Sequence, residues 1–120
     1  MLDWLDSQPS AQIGTTAITA AESLYGVTRL PSGRRRTALT AAVRALIEED
    51  FAGRVEPFDA AAAEAYAVVV TDREKRGRPI ALADAQIAAI CRARRARLAT
   101  RNVRDFEDTG VELIDPWGDG

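Results

Sequence analysis

Apolar residues recur at helical spacing along most of this chain, interrupted by short runs in which they stand side by side. From Ala17 to about Arg29, Ile18, Ala21, Leu24 and Tyr25 fall on one side of a helix, which Leu30-Pro31-Ser32-Gly33 ends. A second helix is predicted from about Arg35 to Asp50. Leu39, Val43, Leu46 and Ile47 form its inner stripe, Arg44, Glu48 and Glu49 its outer side, and Gly53 closes it. Asp59 is placed to cap an alanine-rich helix that passes Tyr66 and Val70 and frays at Glu74-Lys75-Arg76-Gly77. After Pro79 another helix runs from about Leu82 to Ala96, with Ile80, Ala83, Ile87, Ile90 and Cys91 along one side. Short extended pieces lie between: Gln12 to Thr16, Arg54 to Pro57, Arg97 to Thr100 and Val111 to Ile114. The opening, about Leu2 to Asp6, reads as a short amphipathic helix closed by Ser7-Gln8-Pro9-Ser10, and Pro116-Trp117-Gly118 follows the last strand. Helices alternating with apolar strands, without repeat or linker, predict one α/β domain over residues 1–120 with a mainly parallel sheet. In such sheets sites form outside the carboxyl ends of strands, and the turn after Thr100 is one such place.

Composition then narrows the chemistry. The 120 residues contain no histidine and one cysteine. Ser-His-Asp and Cys-His catalysis, His-liganded zinc and histidine acid–base chemistry all lack their key side chain. A lone cysteine forms neither an internal disulfide nor a thiolate cluster. Carboxylates and a metal are left to do the work if the protein is an enzyme. Met1-Leu2-Asp3-Trp4-Leu5-Asp6 carries acids where a signal peptide needs bases, and no stretch approaches the roughly 20 apolar residues of a membrane span. A cytoplasmic protein without membrane contact is expected. Net charge is −2, yet Arg92, Arg94, Arg95, Arg97, Arg101 and Arg104 follow one another without an acid, and Arg34-Arg35-Arg36 form a second cluster. Such runs are either solvated faces or a basic strip that attracts phosphates, because steering depends on local field.

Three carboxylates stand out. Glu22 is four residues after Ile18 and three before Tyr25, on the apolar side of its helix. Either it sits at the stripe's edge and reaches water or an arginine, or it serves a site. Asp84 shares a face with Ile80, Ile87, Ala88 and Cys91 near a helix start, as an ordinary cap or a functional group. Asp105 follows a strand end at which Thr100 and Asn102 also project polar atoms, and is a turn residue or a site residue. Together they suggest one chemistry. Converging carboxylates repel each other unless a divalent cation is bound, and Mg²⁺ or Mn²⁺ takes oxygen ligands and keeps waters. Such a metal activates water and stabilises charge on a phosphodiester.

At these residues the chain resembles the PIN-domain family, in particular its VapC/FitB-like toxins of bacterial toxin–antitoxin pairs. The resemblance is carried by Ile80-Ala-Leu-Ala-Asp84-Ala-Gln-Ile-Ala-Ala-Ile90 followed by Leu98-Ala-Thr100-Arg-Asn102-Val-Arg-Asp105-Phe106. The ending Gly110-Val-Glu-Leu-Ile-Asp-Pro-Trp117 and the segment Thr16-Ala-Ile-Thr-Ala-Ala-Glu22 add to it. It implies a three-layer α/β/α fold with a mainly parallel sheet and a metal-dependent endoribonuclease site. Glu22, Asp84 and Asp105 fall on the second, third and fourth members of the family's acidic quartet, and Thr100 and Asn102 on its accessory polar positions. It further implies Mg²⁺ or Mn²⁺ as cofactor, RNA as substrate, a homodimer, and a cognate antitoxin whose C-terminal segment crosses the acidic cleft. Arg92, Arg95, Arg101 and Arg104 are candidate RNA contacts from their clustering alone.

The chain departs from the family at its start. Family members begin with a hydrophobic strand ending in Asp-x-Asn, whose aspartate opens the quartet. Here Met1-Leu2-Asp3-Trp4-Leu5 resembles the helix after that strand, and neither Asp3 nor Asp6 is assigned the role. The expectation is a truncated domain whose sheet lacks its central strand, leaving neighbouring edges unpaired, and whose metal site lacks one ligand. A start placed too far downstream predicts an in-frame hydrophobic segment ending in Asp-x-Asn upstream of Met1. Two other readings are a truncated module that binds antitoxin or RNA without cutting, and a small helical DNA-binding protein using its arginines.

Overall fold

The computed structural model describes residues 2–4 and 13–115, with only the backbone course at 2–4 and 13. Ser7-Gln8-Pro9-Ser10, Gln12 and Pro116-Trp117-Gly118 lie outside the described residues. Strand β2 (Ile13–Thr16) leads directly into helix α1 (Ala17–Thr28). Thr16 stays extended, and its hydroxyl accepts the Thr19 N–H at 2.9 Å, which caps the helix. After Gly33 (φ 150°), helix α2 (Arg34–Ala45) continues into a π-helical turn (Leu46–Asp50) and ends at Gly53, φ 72°. Strand β3 (Val55–Glu56) follows. Helix α3 (Ala60–Lys75) is capped by Asp59, whose carboxylate accepts the Ala62 N–H at 3.1 Å. Helix α4 (Leu82–Arg94), strand β4 (Ala96–Ala99), a 3₁₀ turn (Val103–Phe106) and strand β5 (Leu113–Ile114) complete the order.

The sheet order is β3-β2-β1-β4-β5, with β1 the segment Leu2–Trp4. The pairs β2–β3 and β4–β5 are parallel, whereas β1 runs antiparallel to both of its neighbours. Leu2 opposes Gly14 and Leu98, and Asp3 opposes Ile13 and Arg97. Two expectations are corrected here. Leu2–Trp4 is strand, not the start of a helix, and it fills the central slot, so the facing edges of β2 and β4 are paired. The physical reason is satisfaction of the backbone. A five-residue helix is too short to hold itself, whereas an extended segment completes two ladders at once.

The β2–β3 connection (α1, α2) and the β3–β4 connection (α3, α4) move across the sheet in opposite directions. The core lies between α3, α4 and β4. Ala85, Ile87, Ala88, Ala89, Ile90 and Cys91 of α4 are buried, meeting Ala62 and Val69 of α3, Ala96 and Leu98 of β4, and Phe106. Arg94 fastens the far end of α4. It donates to the Glu56 and Asp59 carboxylates at 2.8 Å each and to the Pro57 carbonyl at 3.1 Å. The Ala62 N–H and Arg94 together hold the Asp59 carboxyl below the usual range.

The one cysteine is part of this core. Burial pushes the Cys91 thiol up to about 12, so the reactive thiolate is scarce at neutral pH. The native chain is therefore expected to show no rapid titration with an aromatic disulfide reagent. One thiol per chain should react once urea unfolds it, and fast native reaction would contradict this packing.

Candidate active site

The order of connections creates one special place on this sheet. Chain leaves β2 toward one edge and returns to β4 on the other side of β1, so the carboxyl ends of β2 and β4 flank the point where the winding reverses. Because β1 is antiparallel, it presents its amino end there, and Asp3 lies back along the sheet, in register with Ile13 and Arg97. The side chains at this place come from the segments that follow β2 and β4 and from the first turn of α4.

A pocket of about 240 Å³ opens there. Thr19 and Glu22, one turn apart on α1, form one wall. Asp84 and Ile87 of α4 form a second, and Ala99, Thr100 and Asn102 at the end of β4 a third. Leu98 and Phe106 close the bottom. Two larger hollows, on α2 around Arg36 and Arg44 and on α3 around Asp72 and Lys75, are each lined by one helix and its flank and gather no group of carboxylates.

The acidic residues differ in setting. Glu22 is exposed on α1, where Ala20 and Val27 are the buried positions. The apolar stripe expected through Ile18 and Tyr25 is corrected: Tyr25 is 65% exposed, with the Arg29 guanidinium 5.8 Å from its ring centre. Glu22 therefore faces the pocket mouth without burial. Asp84 is half-buried and lies inside the first turn of α4, where Ala81 takes the capping position, so it is no N-cap. Helix-end polarity favours an anion there. Burial nevertheless raises its carboxyl above the ordinary range, the Asp105 charge adds to this, and Arg73 opposes it.

Asp105 sits in the 3₁₀ turn with an exposed side chain. Its N–H donates to the Asn102 carbonyl at 3.0 Å, and the Thr100 hydroxyl accepts the Asn102 N–H at 3.0 Å. Among the described residues no three carboxylate or thiol groups stand close enough to hold a metal ion by themselves. The donor set still suits a hard cation. Glu22 and Asp84, the Thr19 and Thr100 hydroxyls and the Asn102 amide offer oxygen alone, and Mg²⁺ is commonly held by one or two carboxylates plus water.

The arginine strip is divided by the fold. Arg101 and Arg104 follow β4 on the pocket side, exposed. Arg92 and Arg95 lie at the opposite end of α4, Arg92 being about 12 Å along the axis from Asp84 at 1.5 Å per residue. Arg92 donates to the Thr109 carbonyl at 3.2 Å, and Arg97 pairs with Glu112 at 3.5 Å. Sequence reasoning missed Arg73. It is 5% exposed and donates from Nη1 to the carbonyls of Asp105 (3.1 Å) and Glu107 (2.9 Å). The signal was available, since Arg73 continues the inner face marked by Ala62 and Val69.

Comparison with known proteins agrees with this architecture. Residues 1–112 match the PIN domain family. The chain is 36% identical over 117 residues to the VapC ribonuclease Y4jK of Sinorhizobium fredii, covering 98% of this chain and 84% of that protein. A chain from the structure of FitAB bound to an IR36 DNA fragment superposes with a TM-score of 0.82 at 34% identity, covering 89% of this chain and 75% of the other. A chain of VapBC-5 from Mycobacterium tuberculosis, a member of the VapBC family of toxin–antitoxin systems, gives 0.70 at 27% identity, covering 84% and 79%. The chain belongs to the PIN-domain family, on its VapC/FitB-like branch.

Proposed function

We propose that the protein is a metal-dependent endoribonuclease, the toxin of a type II toxin–antitoxin pair, and that the pocket between α1, α4 and β4 is its reaction centre. The observation that carries this reading is the meeting of Glu22, Asp84, Thr100 and Asn102 in one pocket at the winding reversal, with the Asp105 charge acting on Asp84. Resemblance to a VapC ribonuclease supports RNA as substrate, and the toxin–antitoxin neighbours support an antitoxin partner. A homodimer is part of the same proposal.

Mg²⁺ or Mn²⁺ bound by Glu22 and Asp84, with Asp105 adding negative charge, would supply activation of water and screening of the phosphodiester's charge. The chain's own residues do the rest. Thr100 and Asn102 offer a hydroxyl and an amide to orient water or a phosphate oxygen. Arg101 and Arg104, on the pocket side, are placed to attract RNA phosphates, while Arg92 and Arg95 would meet only RNA that reaches the far end of α4. Without histidine, proton transfer falls to carboxylates.

A second reading is favoured by one observation, the lack of a three-carboxylate group among the described residues. It is a module that binds antitoxin or RNA without cutting. Incubation with structured RNA separates the two. Cleavage with Mn²⁺ or Mg²⁺ that EDTA abolishes is the expected result, and binding without cleavage under both metals supports the module.

A further inference from the structure

Arg73 is the only charged side chain buried to this degree among the described residues. All three of its hydrogen bonds go to backbone carbonyls: Nε to Arg78 at 2.7 Å, and Nη1 to Asp105 and Glu107. No carboxylate among the described residues pairs with it. Burying a guanidinium is costly, and a methionine or leucine would fill the same place on the α3 stripe without that cost. What an apolar residue could not do is grip the chain on both sides of Phe106. Arg78 holds the same turn from outside, donating to the Arg104 carbonyl at 3.3 Å and to Glu107 and Asp108 at 3.1 and 3.0 Å. The Nε bond to the Arg78 carbonyl joins the inner and outer grips.

We propose that Arg73 is a positioning residue for the acidic pocket, a hydrogen-bonded strut from α3 that fixes the Val103–Phe106 turn and so the place of Asp105 relative to Asp84. This rests on reading the pocket as the reaction centre, and it adds a group that touches neither RNA nor metal. Its bonds come from a planar fork, and lysine, with one nitrogen, keeps the charge but does not span three carbonyls.

The test compares Arg73→Lys, Arg73→Met and Val69→Ala, the last a core truncation one turn earlier on the same helix that leaves the turn's bonds intact. Amide exchange of the 103–109 peptide, Mn²⁺ affinity of the folded chain and single-turnover RNA cleavage are measured for each. Arg73→Lys is expected to exchange the turn about 10-fold faster while α4 stays protected. Its Mn²⁺ affinity should weaken about 10- to 100-fold, as when a charged group just outside the ligand set is displaced, with kcat reduced and KM for RNA near the parent value. Val69→Ala should lose thermal stability while keeping the parent's turn exchange and Mn²⁺ affinity. Parent-like turn exchange in Arg73→Lys, or a Val69→Ala that shifts every readout with its lost stability, overturns the proposal. If Arg73→Met does not fold, Arg73→Lys decides. If the parent cuts no RNA, the exchange and Mn²⁺ arms still decide the strut, and the nuclease reading fails separately.

Discussion

Asp84→Asn should give a more heat-stable protein that no longer cuts RNA. Most substitutions destabilise, so a gain from one in a pocket marks a group whose placement works against folding. Burial and the Asp105 charge both disfavour ionised Asp84, and together they outweigh Arg73 and the helix end, which favour it. The folded state therefore holds the Asp84 proton more tightly than the unfolded chain does. That preference stabilises the fold fully below the ordinary carboxyl value of 3.8 and is lost as pH rises through the raised folded value. Asparagine keeps the volume and removes the titration. In EDTA, the melting difference between Asp84→Asn and the parent should be smallest near pH 3.8 and grow in the mutant's favour toward pH 7. Added Mn²⁺ should stabilise the parent and leave the mutant unmoved, since binding to the folded state alone raises stability. Cleavage should fall by about 10²- to 10³-fold, the usual cost of removing one group that stabilises developing charge. A mutant that melts below the parent at pH 7, or cuts at the parent's rate, would show that Asp84 is a structural residue.

Phe106→Ala should have the largest effect on stability. Phe106 is 5% exposed, joins the α3–α4–β4 cluster and also lines the base of the pocket. Its carbonyl accepts the buried Thr109 hydroxyl at 2.7 Å, so ring and backbone both tie the turn down. Removing a buried phenyl ring costs about 3–5 kcal/mol, a large part of the roughly 5–15 kcal/mol that holds a small domain together. With a urea slope of about 1–3 kcal/mol/M, the unfolding midpoint should drop by about 2 M. A drop below about 0.5 M would mean that the cluster closes over the gap or that the ring is not packed there.

Much of this fold could be read from residue order because its determinants are local. Asp59 before an alanine run, Pro79 before a periodic stripe and Gly53 after one are near-neighbour signals, and α3, α4 and the end of α2 stand where they predict. Strand β1 was not legible. Three residues have no period, and their conformation is set by the ladders of β2 and β4, which come from distant sequence. The α1 stripe misled for a related reason: Tyr25 fits a helical apolar spacing but points outward, where Arg29 covers its ring.

The site divides in the same way. Asp84 announced itself as an acid among Ile80, Ile87 and Cys91, and it faces the pocket. Glu22 was marked by the wrong cause, an apolar side it does not share, yet it lies on the pocket wall. The arginines read as one strip because they are consecutive in sequence, whereas α4 and β4 run in opposite senses and carry them to opposite ends. The bonds of Arg94 to Glu56 and Asp59, and of Arg73 to Asp105 and Glu107, join residues 32 to 38 positions apart, beyond any local pattern.

The most direct measurement of the central claim is the chemistry of the cut ends. End-labelled RNA is cleaved by the purified chain in Mn²⁺ and the new termini are analysed, alongside a substrate with a 2′-deoxy sugar at the cut site. Water as nucleophile at a carboxylate-held metal predicts no 2′,3′-cyclic phosphate and continued cutting of the deoxy-substituted substrate, both abolished by EDTA and by Asp84→Asn. A cyclic phosphate product, or cleavage that persists in EDTA, would contradict it.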